Sequence, residues 1–196
     1  MGTEVTPSEN KTPTPRPHFI VVMGVCGTGK TTVAAELARR LGWDFQEGDA
    51  LHPEKNVQKM SSGQPLTDED RYPWLELCHD WLERERNMGH GAVLTCSALK
   101  RSYRERLRAG GLPVEFVYVK VSEEVLRERM AAREGHFMPP TLLPSQLAIL
   151  EEPGDDEPVI AVNGEQAAER VVEELVKLLG DDAHAMVQVS SGVLSE

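Results

Sequence analysis

Four short apolar runs and one mixed strand candidate punctuate the chain, and each is followed by a segment with helical character. The first run, HFIVVMG (His18–Gly24), is almost unbroken and ends in glycine, which predicts a strand buried on both faces. KTTVAAELARRLG then places Val33, Leu37 and Leu41 on one helical face, with Gly42 as a stop. WDFQEGD predicts the second strand, 53–62 a short helix and GQPLTDEDRYP a loop. A long amphipathic helix, WLELCHDWLERERNMG, is expected to start just after Pro73. GAVLTCS, VEFVYVKV and VIAVNG are the remaining strands. The helices KRSYRERLRAG, SEEVLRERMAARE and EQAAERVVEELVKLLG follow them in turn.

Strands that alternate with helices imply an α/β fold, with a parallel five-stranded sheet covered on both faces. One domain is expected over 18–180. Residues 1–17 read as a Pro- and Thr-rich flexible leader, and 181–196 as a loose tail. In such a sheet ligands sit beyond the carboxyl ends of the strands, and Gly24, Asp49 and Ser97 are all expected on that rim.

Charge narrows the partners. With 32 acidic against 21 basic residues the formal net charge is −11, which argues against a general affinity for nucleic acid or an anionic membrane. No apolar run approaches the ~20 residues of a membrane span. Cys26, Cys78 and Cys96 lie far apart without a C-x-x-C pair, which favours thiols in a reducing cytoplasm. The six histidines lack metal-ligand spacing.

The chemistry begins at GVCGTGKT, Gly24–Thr31. It fits G-x-x-x-x-G-K-[ST] and lies between a strand and a helix, the context that motif requires. Gly27 and Gly29 free backbone N–H groups to turn toward phosphate oxygens, and Val25, Cys26 and Thr28 contribute to the same cradle. Lys30 is expected to reach the outer phosphates, and the Thr31 hydroxyl to ligate Mg²⁺. ATP with Mg²⁺ is therefore the expected cofactor. A regulatory nucleotide binder would use the same loop.

Three further blocks decide between these readings: GDALHPEKNVQKMSSGQPLTDEDRYPWL, CSALKRSYRERLR and REGHFMPPTLLPSQLAILEEPGDDE. In that order and spacing, from about His18 to Lys177, the chain resembles the gluconokinases of the shikimate-kinase-like group. The resemblance implies a three-layer αβα P-loop kinase fold with a mobile helical lid at about 134–152. It implies ATP-dependent phosphorylation of D-gluconate at its terminal hydroxyl, and it suggests a homodimer. The alternatives are a kinase for another small hydroxy acid such as shikimate, or a non-catalytic nucleotide-dependent switch.

On that resemblance, the segment after the second strand faces the acceptor. A polyhydroxy acid needs acceptors for its hydroxyls and a cation for its carboxylate. Asp49, His52, Asn56 and Arg71 offer that mixture, with Lys59 and Asp70 either contacting the acceptor or merely solvated. Asp49 is expected to orient the attacking hydroxyl and take its proton; the plainer alternatives are a helix cap or a role in the Mg²⁺ shell. Lys100 and Arg104 hold the substrate carboxylate or γ-phosphate, or else line a basic exposed helix face. Arg129 and Arg133, four apart, share a helical face and resemble the lid arginines of nucleotide kinases, one stacking on adenine and one reaching phosphate. His136 either donates on lid closure or packs the lid. The chain departs from the usual family pattern at Cys26 and Thr28, where serine is common. Like the family, it has no Walker B aspartate after GAVLTCS.

Overall fold

The computed structural model describes residues 18–132 and 139–190. Its strands are β1 (Phe19–Met23), β2 (Asp44–Gln46), β3 (Ala92–Thr95), β4 (Val114–Lys120) and β5 (Val159–Asn163). All pair in parallel, in the order β2-β3-β1-β4-β5. The helices are α1 (Lys30–Leu41), α2 (Glu54–Ser61), α3 (Asp68–Met88), α4 (Arg101–Leu107), α5 (Glu123–Ala131), α6 (Leu143–Ile149) and α7 (Ala168–Ser190), with a 3-10 turn at Gly48–Leu51. This is the expected three-layer α/β architecture.

Alternate residues of the central strands feed two cores. Phe19, Val21 and Met23 point with Leu94 and Phe116 toward Trp74, Leu75 and Leu82 of α3 and Tyr103 and Leu107 of α4. Ile20 and Val22 point the other way, toward Val33 and Leu37 of α1 and Val171, Val172 and Leu175 of α7. All five residues of β1 are buried because the strand has helices on both sides. A third cluster, including Val25, Met60, Leu99, Leu126 and Leu143, packs beneath the loop after β1 and joins α2, α5 and α6 to it.

Two elements differ from their sequence reading. α3 begins at Asp68, five residues before Pro73. Thr67 accepts a bond from the Asp70 N–H, and the Asp70 carboxylate accepts from the Thr67 N–H, a reciprocal capping box that nucleates the helix upstream of the proline. Pro73 removes only the bond to the Glu69 carbonyl, and both residues are exposed, so water can replace it. α7 runs to Ser190, into the segment read as a tail. No helix among the described residues is long and apolar enough to cross a membrane.

Candidate active site

The carboxyl ends of β1, β2 and β3 meet around a cleft of about 260 Å³. Its floor is the loop that runs from Gly24, after β1, to α1, where Gly29 caps the helix at φ 92°, a left-handed value natural to glycine. No side chain caps α1 and no acidic residue lies in its first turn. The first N–H groups of the helix, with its positive dipole end, are left for an anion. Lys30 Nζ donates to the Val25 carbonyl at 2.9 Å, and the Thr28 hydroxyl to the same oxygen at 3.1 Å, so the loop is braced from within. Cys26 N–H donates to Gln146 Oε1 at 2.7 Å, tying α6 to the loop. Arg129 donates to the carbonyls of Gly164, at 2.9 Å, and Thr28, at 3.5 Å. It lines the cleft beside Gly27, Gly29, Lys30 and Thr31.

The opposite wall grows from the turn after β2. Asp49 lies in the 3-10 turn, three residues beyond Gln46, and is not the last residue of the strand. Gly48 N–H donates to Thr95 Oγ1 at 3.0 Å, and Gly48 carbonyl accepts from Trp74 Nε1 at 2.8 Å. These two bonds pin Asp49 at the cleft between β3 and α3. His52 stacks on Trp74 with ring centroids 4.1 Å apart. Burial, and secondarily the Arg71 cation, push the His52 pKa down to about 3. The imidazole is therefore neutral at pH 7, and its 4.0 Å approach to Asp49 Oδ1 is not an ion pair. Asn56 donates to the Asp70 carbonyl at 2.8 Å and faces His52 Nδ1 at 3.4 Å, which leaves the ring proton on Nε2, toward Asp49. Asn56 itself is fully buried and orients His52 rather than lining the cleft.

Arg71 is the most unusual group. Its residue is 6 % exposed, yet no carboxylate among the described residues lies within ion-pair distance, and Nε has no hydrogen-bond partner. Its guanidinium rests 5.8 Å from the Tyr103 ring centroid, and burial lowers its pKa. A buried cation with no carboxylate at ion-pair distance is costly, and this one lines the cleft. Sequence reasoning missed Glu47. Its Oε1 accepts a short bond from the Thr95 hydroxyl, while its Oε2 is buried with no partner. With the Thr31 hydroxyl it offers hard oxygen donors on one cleft, a set that fits Mg²⁺. The signal was present in EGD, which sets two carboxylates either side of a glycine at a strand end. Gln146 was missed too, since an isolated glutamine in a Pro-bounded segment carries no pattern.

An "AAA domain" family model matches residues 19–153. A gluconokinase of Gluconobacter oxydans is 68 % identical over 162 residues, covering 83 % of this chain and 91 % of its own. The chain belongs to the gluconokinase family. The thermoresistant gluconokinase of Escherichia coli is 41 % identical over 83 % of this chain and 93 % of its own. Among solved structures, a gluconokinase from Sinorhizobium meliloti superposes with a TM-score of 0.76 at 46 % identity, covering 89 % of this chain and 98 % of that one.

Within this gluconokinase framework, two cations expected at the substrate are engaged elsewhere. Lys100 donates to both oxygens of Asp68, at 2.8 and 2.9 Å, and Asp68 also accepts from Tyr103. Arg104 is 1 % exposed and forms a two-pronged pair with Glu157, at 2.6 and 2.7 Å, while its third nitrogen donates to the carbonyls of Ala98, Leu99 and Glu151. It is not part of a basic exposed face; it fastens the segment before β5 to the turn before α4. Neither residue lines the cleft. Lys59 and Asp70 pair with each other at 2.5 Å. Arg133 and His136, and the part of the expected lid at 134–138, lie outside the described residues.

Proposed function

We propose that this chain transfers the γ-phosphoryl group of ATP to the terminal hydroxyl of D-gluconate, with Mg²⁺. The observation that carries the reading is the buried Arg71 guanidinium, with no carboxylate at ion-pair distance among the described residues, on the same cleft as the Gly24–Thr31 loop and the Asp49 carboxylate. An acidic acceptor supplies the close ion-pair partner that Arg71 lacks among the described residues. Asp49 accepts a hydrogen bond from the hydroxyl and takes its proton as transfer proceeds. Neutral His52, whose one ring proton is on Nε2 beside Asp49, donates it to a neighbouring substrate hydroxyl. Lys30 and the first N–H groups of α1 hold the phosphates, Thr31 and Glu47 hold Mg²⁺, and Arg129 braces the loop. When bound, the magnesium nucleotide supplies the electrophilic phosphorus. Arg133 and His136 complete the phosphate side and exclude water from the transferring group.

The test is an ADP-release assay across D-gluconate, D-glucose, shikimate and nucleoside monophosphates, run on wild type, Asp49→Asn and Arg71→Met. Gluconate should be used far better than glucose, because a dedicated charged site left unpaired penalises the neutral analogue. Asp49→Asn should lose roughly 10²–10⁴-fold in kcat, the span of a general base, with ATP binding intact. Arg71→Met should raise the gluconate KM and narrow the gap to glucose. Equal efficiency on gluconate and glucose overturns the reading.

A further inference from the structure

At the amino-terminal end of the sheet, away from the cleft, three side chains converge whose chemistry the kinase reaction does not use. Asp44 opens β2, Glu85 lies in the last turn of α3 and His90 sits between α3 and β3. Their ligand atoms all lie within 4.8 Å of one another. His90 Nδ1 is 2.9 Å from Asp44 Oδ2 and 3.4 Å from Glu85 Oε2.

The backbone fixes this convergence before any side chain is considered. α3 ends at Gly89, φ 76°, and the chain turns back so that His90 N–H donates to the Glu85 carbonyl at 3.0 Å. That six-to-one closure places His90 over Glu85. Asp44 N–H donates to the Gly91 carbonyl at 3.0 Å, and Asp44 pairs with Ala92 in the sheet, which brings it beside the same turn.

The second observation is Glu85 itself. Its residue is 4 % exposed, and Oε2 is shut off from solvent and accepts no hydrogen bond. Oε1 has a weak partner, Arg84 Nε at 3.5 Å, but Oε2 faces only the cluster. A buried carboxylate oxygen that accepts no hydrogen bond costs stability, and a cation bound to it removes that cost.

We propose that Asp44, Glu85 and His90 form a binding site for a divalent first-row transition ion, Zn²⁺ first, that fastens the end of α3 to the edge strand. One imidazole and two carboxylates are the donor types such ions take, whereas Mg²⁺ prefers oxygen alone. Zn–N and Zn–O bonds of about 2.0–2.1 Å in a tetrahedron give ligand–ligand edges of about 3.3 Å, so the three atoms need only small side-chain adjustments. The Asp44 and His90 side chains are 55 % and 52 % exposed, which gives the ion an entry path and leaves a position for water.

The test uses the full chain, freed of metal by a chelator and without nucleotide, titrated with ZnCl₂ by calorimetry and thermal unfolding. At a hundredfold excess over Kd the Tm should rise by about 5–10 °C, as expected for a ligand that binds only the folded state of a domain this size. Co²⁺ should give the visible absorption of a low-symmetry nitrogen-oxygen site. His90→Ala and Asp44→Asn should each lose at least about tenfold in affinity, since each removes one of three protein ligands. Glu85→Gln should match or exceed the metal-free wild type in Tm and lose the Zn²⁺ response, which separates ligand loss from misfolding. MgCl₂ alone should give no shift through this site, and His90→Ala should keep ATP-dependent turnover. No Zn²⁺ response in the wild type overturns the site. So does a response undiminished in all three variants, which would leave these residues an ion-paired cluster and put the metal elsewhere.

Discussion

Replacing Gly48 with alanine tests how Asp49, the proposed base, is held. A Cβ at this position would lie 2.0 Å from the Thr95 carbonyl oxygen and 3.1 Å from its carbon. Both are backbone atoms of a strand whose four residues are all buried, so neither can swing aside. The turn must instead retreat by about 1.5 Å to reach an ordinary contact. That retreat breaks the bonds from Gly48 N–H to Thr95 Oγ1 and from Trp74 Nε1 to the Gly48 carbonyl, both buried. Leaving such groups unsatisfied costs about 1–3 kcal/mol each, so Gly48→Ala should destabilise by about 2–6 kcal/mol. Asp49, the next residue, moves with the turn, and a misplacement of about 1 Å in a positioned group costs on the order of 10²-fold in rate. Urea unfolding gives the first quantity, and steady-state kinetics at saturating ATP give the second. A Gly48→Ala protein with unchanged urea midpoint and kcat would refute the account of this turn as a rigid mount.

The remaining predictions concern charge. Arg104→Met should destabilise by about 3–5 kcal/mol, because it strands a nearly buried Glu157 carboxylate, whose pKa Arg104 now holds down. Its gluconate KM should stay within a few-fold of wild type, and adding Glu157→Leu should restore part of the stability; a large KM effect would return Arg104 to the substrate. His52 gives a pH dependence: its folded pKa of about 3 lies below the unfolded 6.5, so the unfolded chain takes up the proton first. The stability of the neutral form is full above pH 6.5 and is lost as pH falls toward 3. Between about pH 7.5 and pH 5 the wild type should lose about 2 kcal/mol more than His52→Gln by urea unfolding. Equal losses would place His52 in contact with water.

The chain by itself determined the local pieces. Unbroken apolar runs set the central strands β1 and β3, whose residues are all buried, and the glycines and Lys30–Thr31 between β1 and α1 set the phosphate loop. Even the early start of α3 was legible in Thr67 and Asp70, although Pro73 drew the boundary downstream; a reciprocal cap outweighs one missing bond on an exposed turn. Tertiary structure alone decided which charges are available. Arg71, Lys100 and Arg104 are alike as sequence, three cations near an expected rim. Lys100 is neutralised by Asp68, 32 residues away, and Arg104 by Glu157, 53 residues away. Such pairings depend on the order in which the strands assemble and on which helix ends they bring together. Glu47 and Glu85 make the same point from the acidic side, since a carboxylate becomes an unsatisfied buried group only once its neighbours have closed over it.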